Sequence, residues 1–306
     1  MLHAWSSARY TFPLPEGHRF PIEKYERLRR RVVDGGMVHT ECLHEPARVG
    51  ADDLLRVHSA AYVERFTAGT LDPAAVRRIG FPWSPALVER SLRATGGTCE
   101  AAAFALDRGI AMNLAGGTHH AFADHGEGFC VFNDVAVAIR ALQHRSRIAR
   151  AVIVDLDVHQ GNGTHAVFAG DPTVFTFSMH GGRNYPFHKV AGDLDIELDD
   201  GTGDDEYLSR LADALPGVLE RSRPELVVYL AGVDVHEDDR LGRLALTATG
   251  LARRDALVLE RCREVGLPVV ITIAGGYGRD VDATVDLHVE TVRIASQFAG
   301  AVPAHR

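Results

Sequence analysis

Residues 152–163 read VIVDLDVHQGNG. Three apolar residues lead into Asp155, Asp157 and His159, spaced two apart, and the chain then passes into glycine and asparagine. A short continuous apolar run is how a strand buried on both faces reads, and such strands belong to parallel sheets covered by helices. Alternate strand residues point the same way, so the spacing predicts Asp155, Asp157 and His159 on one face. Neighbours in that set would stand about 6–7 Å apart and the outer pair about 13 Å apart. One ion could then be gripped by Asp157 and His159 together, leaving Asp155 for a second task.

The same pattern recurs outward from this stretch, in IAMNLAGG (110–117), TVFTFSMH (173–180), ELVVYLAGVD (225–234) and PVVITIAGGY (268–277). Helical patterning fills the intervals at 133–145, 204–221, 247–264 and 280–298. It also marks 22–33, where Ile22, Tyr25, Leu28 and Val32 share a face, and 85–106, where Pro85 suits a first turn. Alternating strands and helices without a break predict a single α/β domain over 1–306, built on a central parallel sheet with helices on both faces. Five strand ends carry polar groups: Gly116-Gly117-Thr118-His119-His120, Asp155 with Asp157 and His159, His180, Asp234, and Gly275-Gly276-Tyr277. Ligands of open parallel sheets bind at the carboxyl ends of strands. The five ends together predict one site.

Composition removes several classes of function. The net charge is −8, from 33 basic and 41 acidic residues, and no block of Lys or Arg tracks one face, so no nucleic-acid partner is expected. No apolar run approaches the roughly 18 residues of a membrane span, and MLHAWSSARYTFPLP at the start lacks the pattern of a signal peptide. No membrane partner and a cytoplasmic location are the expectations. Cys42, Cys99, Cys130 and Cys262 lack ligand spacing and read as small buried residues of a reducing compartment. Lys24 and Lys189 are the only lysines; the arginine bias, with abundant Ala and Gly, suggests a GC-rich bacterial genome.

Two buried carboxylates side by side are costly unless a cation joins them. Asp157, His159 and Asp234 would make a three-ligand site with an open position, the arrangement of a catalytic rather than a structural zinc. Taken alone, Asp234 reads as a cap on a helix or turn; beside DLDVH it reads as the third ligand. The tandem His119-His120 reads as a proton-transfer couple, oriented by Asp155 and Asn162. A carboxylate raises an imidazole's pKa more than a neutral amide does, which would separate the two roles. Tyr277 offers a phenol donor on a flexible turn, or an aromatic lid on the core. Together these parts describe metal-assisted hydrolysis.

GGTHHAF (116–122), GEGFCVFNDVAVA (126–138), DLDVHQGNGT (155–164), SMH (178–180), AGVD (231–234), DRLGRLALT (239–247) and AGGYG (274–278) together resemble the histone deacetylase family. That family includes bacterial deacetylase-like amidohydrolases and acetylpolyamine amidohydrolases. The motifs keep the family's order over 116–278, about half the chain; ADDLLRVHSAAYVERF (51–66) matches more loosely, and HQGNG and AGGY look closest to class IV. The resemblance implies the arginase/deacetylase fold with about eight strands. It implies Zn2+ on Asp157, His159 and Asp234, with Fe2+ as the other metal, and a catalytic set of His119, His120, Asp155, Asn162 and Tyr277. His120 would be the general base and Tyr277 the oxyanion donor. A structural K+ would take Asp155, the backbone of Asp157, His159 and Met179, and the Ser178 hydroxyl. The substrate channel would be formed by Gly128, Phe129, Tyr185, Gly275 and Gly276, with Phe129 and Tyr185 as walls.

Three positions depart from the pattern. Asn162 stands where class I members carry Asp, which implies a less basic histidine. Thr118 replaces an aromatic or small residue, and FPWS (81–84) lacks the rim aspartate that holds a peptide backbone. The implied activity is deacylation of an acylated lysine or polyamine. A two-manganese ureohydrolase would need a further carboxylate where Gly161 stands, and an inactive acyl-lysine binder would lack one of the residues named here. An oligomeric partner is not specified by the sequence.

Overall fold

The computed structural model describes residues 1–299. Its strands are β1 (His3–Trp5), β2 (Leu43–His44), β3 (Ile110–Asn113), β4 (Ala151–Asp155), β5 (Val174–Gly181), β6 (Leu194–Leu198), β7 (Leu226–Leu230) and β8 (Val269–Thr272). They form one sheet in the order β2-β1-β3-β8-β7-β4-β5-β6, and every neighbouring pair is parallel. All residues of β3, β4, β7 and β8 are buried, as their unalternating apolar sequences require. This is the sheet architecture expected from the sequence.

The helices are α1 (Lys24–Asp34), α2 (Ala51–Leu54), α3 (Ala60–Ala68), α4 (Pro73–Ile79), α5 (Pro85–Arg108), α6 (Asp134–His144), α7 (Asn162–Phe168), α8 (Asp204–Ser222), α9 (Ala248–Glu264) and α10 (Val281–Phe298). Right-handed crossovers between parallel strands put α2–α7 on one face of the sheet and α1, α8 and α9 on the other. Packing agrees: α5 lies against α6, while α1, α10, α9 and α8 pack in that order. Among the described residues, no helix is long and apolar enough to cross a membrane.

Connections after the adjacent strands β4 and β7 leave to opposite faces, α7 to one and α9 to the other. Where neighbouring connections diverge, a crevice opens at the carboxyl ends of the strands, and that crevice is the usual ligand site of an open α/β sheet. Asp157 and His159 follow β4; Asp234 follows β7. The chain order alone therefore brings the three together.

Candidate active site

Strand β4 stops at Asp155, four residues short of His159. Leu156 N still donates to Leu230 O at 3.2 Å, the last bond in strand register. After it, side-chain carboxylates capture the amides: Asp157 N donates to Asp155 Oδ1 at 3.2 Å, Val158 N to Asp234 Oδ1 at 3.0 Å, and His159 N to Asp157 Oδ1 at 3.0 Å. Such local bonds compete with the strand ladder, and here they curl the chain. His159 Nδ1 consequently lies 2.9 Å from Asp157 Oδ1 and 3.2 Å from Asp234 Oδ2, instead of a strand repeat away. One ligand-capable atom from each of Asp157, His159 and Asp234 falls within 4.8 Å of the others.

The three residues fit a cation. Asp157 and Asp234 are 1 % and 0 % exposed, and Asp234 Oδ2 has no hydrogen-bond partner. Burial, then the charge of Asp157, raises the Asp234 carboxyl to about 7, whereas His119 and His159 overcome the burial of Asp157 and hold it low. A divalent ion would relieve that repulsion and occupy the orphaned oxygen. The two-oxygen, one-nitrogen donor set suits zinc or ferrous iron.

The frame around the cluster is tight. Gly275 N donates to Asp157 Oδ2 at 2.7 Å, and a Cβ on Gly275 would overlap Asp234 Oδ2 and stand 2.5 Å from Asp157 Oδ2, so no side chain fits there. From beneath, the fully buried Arg254 of α9 donates from Nη1 to Leu156 O (3.3 Å) and Gly232 O (2.6 Å). It thereby ties both ligand-bearing loops together. Arg254 Nε bonds Asp255 Oδ1 at 2.9 Å, and Asp255 is itself held by Tyr229 (2.5 Å) and Thr291 (2.6 Å).

His119 and His120 follow β3. His119 Nδ1 lies 2.6 Å from Asp155 Oδ2, and His120 Nδ1 lies 2.7 Å from Asn162 Oδ1 at the start of α7. Burial opposes charge on both rings. For His119 the carboxylates of Asp155 and Asp157 overcome it and raise the pKa to about 9; for His120, burial and then the charges of His119 and His159 push it well below the ordinary value. The loop before the pair is anchored by the buried Asp134, which accepts from Gly117 N (3.1 Å), Thr118 N (2.7 Å), Thr118 Oγ1 (2.5 Å) and Thr98 Oγ1 (2.5 Å). Thr118 is thus a loop anchor.

Tyr277 is 9 % exposed, its ring 6.2 Å from that of His159. Its turn is strapped rather than flexible: Tyr277 N donates to Asp239 Oδ2 at 2.6 Å, and Arg240 Nε donates to Tyr277 O at 2.8 Å. Behind the turn, buried Lys24 donates to Ala274 O and Gly276 O, both at 3.3 Å. Phe129 stands 6.0 Å from the Tyr277 ring, and Tyr185 packs edge-on to His120 at 4.9 Å. Gly128 (φ 56°) lets the chain pass over His120: a Cβ there would sit 2.6 Å from His120 Cδ2. Tyr185 and Tyr277 therefore flank His159, with Phe129 beside Tyr277.

Asp155 and Ser178 stand opposite each other in the β4–β5 register, with buried Met179 next along β5. Of the residues considered for K+, Asp155, Ser178 and Met179 lie at this corner. His180, the polar end of the TVFTFSMH run, bonds the Ser178 hydroxyl at 2.9 Å and takes no part in the Asp157–His159–Asp234 cluster.

Sequence reasoning missed Lys24, Glu127, Asp134, Asp239 and Arg254. Lys24 left a trace: with Leu28 and Val32 it occupies the i, i+4, i+8 stripe that α1 buries. Glu127, Asp134 and Asp239 lie inside GEGFCVFNDVAVA and DRLGRLALT, stretches quoted above without roles for these positions. Arg254 carries no such mark.

A family profile described as the histone deacetylase domain matches residues 18–292. An uncharacterized protein of Picosynechococcus sp. is 48 % identical over 279 residues, covering 91 % of this chain and 93 % of that one. The histone deacetylase-like amidohydrolase of Pseudomonas aeruginosa is 32 % identical over 283 residues, covering 87 % and 74 %. Among solved structures, a histone deacetylase homolog complexed with SAHA superposes with a TM-score of 0.84 at 24 % identity, covering 97 % of this chain and 84 % of that one, which establishes the fold. A profile match over most of the chain, on a sheet that converges these motifs at one crevice, places the chain in the histone deacetylase family.

Proposed function

We propose that the chain, working as one catalytic domain, is a metal-dependent deacylase that removes an acetyl or longer acyl group from a lysine side chain or a polyamine. The observation that carries the reading is the Asp157–His159–Asp234 cluster flanked by Tyr277 and by two histidines, one bonded to a carboxylate and the other to an amide. The family match and the names of the relatives support the same class. A divalent ion on the three ligands, zinc or ferrous iron, would acidify a bound water and polarise the scissile carbonyl.

The chain's own residues supply the rest. His120, neutral, accepts the proton of the attacking water at Nε2 and returns a proton to the departing amine nitrogen as the C–N bond breaks. His119, held cationic by Asp155, stabilises the negative charge that develops nearby. The Tyr277 hydroxyl donates to the same oxyanion, a type of contact worth about 10²–10³-fold in rate. Phe129 and Tyr185 line the approach and exclude water. Asp155, the Ser178 hydroxyl and the carbonyls of Asp157, His159 and Met179 are proposed to bind K+. A ureohydrolase pair is disfavoured by space as well as by sequence, since a Cβ on Gly161 would lie 2.6 Å from Asp155 Oδ2.

The test is turnover of metal-loaded protein on a panel of acyl-lysine peptides and acylated polyamines, with metal content measured in parallel. Amine release that disappears in Y277F, and loss of both metal and turnover in D157A, are expected. Full metal retention by D157A would move the metal site elsewhere; silence of the loaded wild type across the panel would sink the deacylase reading.

A further inference from the structure

Asn162 also donates. Its Nδ2 lies 2.7 Å from Glu127 Oε1, on the GEGFC turn, while its Oδ1 faces His120 Nδ1. The Glu127 side chain is 15 % exposed, and the turn is pinned by Cys130 N to Glu127 O (2.8 Å) and Phe129 N to Ile79 O (2.8 Å). His125 Nε2 is 3.9 Å from the other Glu127 oxygen. Burial, then the nearby Glu127 carboxylate, raises the Tyr185 phenol.

We propose that Glu127 is a positioning residue for the general base: it fixes which way the Asn162 amide points, and through that amide which ring nitrogen of His120 carries the proton. The inference rests on the reading of His120 as the base. An aspartate beside His120 would need no such help, because both its oxygens accept. An amide has one accepting and one donating end, and either could face the ring. Glu127, as a carboxylate, only accepts, so it claims Nδ2 and leaves Oδ1 for His120. An oxygen at Nδ1 requires an Nδ1–H, and a neutral ring protonated there keeps its lone pair on Nε2. With the amide turned over, Nδ2 would meet Nδ1 and the proton would move to Nε2, where the ring is no longer a base toward the substrate.

The test compares full-length, metal-loaded E127A, E127Q, N162D and E127Q/N162D. It uses two readouts: kcat and KM on the best panel substrate, and the His120 tautomer from ¹⁵N–¹H correlation of the imidazole, assigned with H120A. E127A is expected to lower kcat by about 10–100-fold, the usual size for outer-sphere partners of a site, and to mix the tautomers. E127Q is expected to recover only part of that loss and to leave the tautomers mixed, because a glutamine amide can present either end to Asn162 and no longer dictates which way it points. N162D alone sets two carboxylates in contact, which must share a proton; it is expected to be poorly active. E127Q/N162D regains activity over N162D, because the glutamine amide donates to the new carboxylate. A His120 tautomer unchanged in E127A, or equal activity of N162D and E127Q/N162D, would overturn the proposal. If no panel substrate turns over, the deacylase reading fails separately, while the tautomer measurement still decides this one.

Discussion

His119 and His120 are consecutive, 3 % and 4 % exposed, with ring centroids 4.2 Å apart. They nonetheless end on opposite sides of neutrality. His119 meets a carboxylate 2.6 Å away and is raised to about 9, whereas His120 meets an amide 2.7 Å away and stays well below the ordinary histidine value. Burial penalises charge in both; the carboxylates of Asp155 and Asp157 overcome it at His119, whereas at His120 the Asn162 amide cannot offset burial and the charges of His119 and His159. Two neighbouring imidazoles can therefore serve one reaction as fixed cation and proton acceptor.

The sharpest way to break this contrast is to remove each ring in turn. H120A is expected to lose about 10²–10⁴-fold in kcat while keeping its metal. A general base must be deprotonated, so wild-type kcat/KM falls as pH drops through the His120 pKa, with that limb below the ordinary histidine pKa of about 6.5. The limb should vanish in H120A and persist in H119A. Persistence in H120A alone would reverse the assignment.

A third buried histidine extends the comparison away from the chemistry. His58 Nδ1 bonds Phe122 O at 3.0 Å, and its Nε2 accepts from Asn133 N at 2.9 Å, bracing the segment that follows the histidine pair. Burial outweighs the backbone bonds and lowers its pKa to about 4. The folded pKa lies below the unfolded one, so its contribution is complete above about pH 6.5 and is lost as pH falls toward 4. The shift corresponds to about 3 kcal/mol. Urea unfolding of H58Q, compared with wild type at several pH values across that window, should show a pH dependence smaller by that amount. An unchanged slope would mean that His58 is not held neutral.

The contrast between the dyads was legible in the sequence because Asp155 and Asn162 flank the metal-binding stretch, and the chemical types of the two partners differ. Strands β3, β4, β5, β7 and β8 were legible as apolar runs. By contrast β1 and β2 have three and two residues, too few for any period, and β6 alternates at the sheet edge. The curl after Asp155 was not legible, since it depends on Asp234, from another strand, accepting the Val158 amide. Glu127 and Arg254 were missed for a related reason: each acts on groups brought close only by the sheet order, Glu127 on Asn162 and Arg254 on two loops from different strands. Pattern reports which face a residue takes. It does not report which backbone atom from elsewhere arrives there.

Lys24 sharpens the comparison at the opposite wall of the site, where a turn rather than an imidazole is being held. Ala274 adopts φ 43°, a left-handed conformation that costs a non-glycine residue about 1–2 kcal/mol. Its carbonyl and that of Gly276 both accept from the Lys24 ammonium, which also sits 5.4–5.6 Å from the ring centroids of Phe20, Tyr25 and Tyr277. The other lysine, Lys189, likewise bridges two carbonyls, those of Asn184 and Pro186, at 2.7 Å each beside Tyr185. A compact ammonium with three donors suits paired carbonyls better than a planar fork does. K24M keeps the stem's bulk but orphans both acceptors, at about 1–3 kcal/mol for each. The expected result is a lower melting temperature together with a kcat loss smaller than that of Y277F, because the phenol remains but its turn is released. A K24M protein that melts with the wild type would show that Asp239 and Arg240 hold the turn without the lysine.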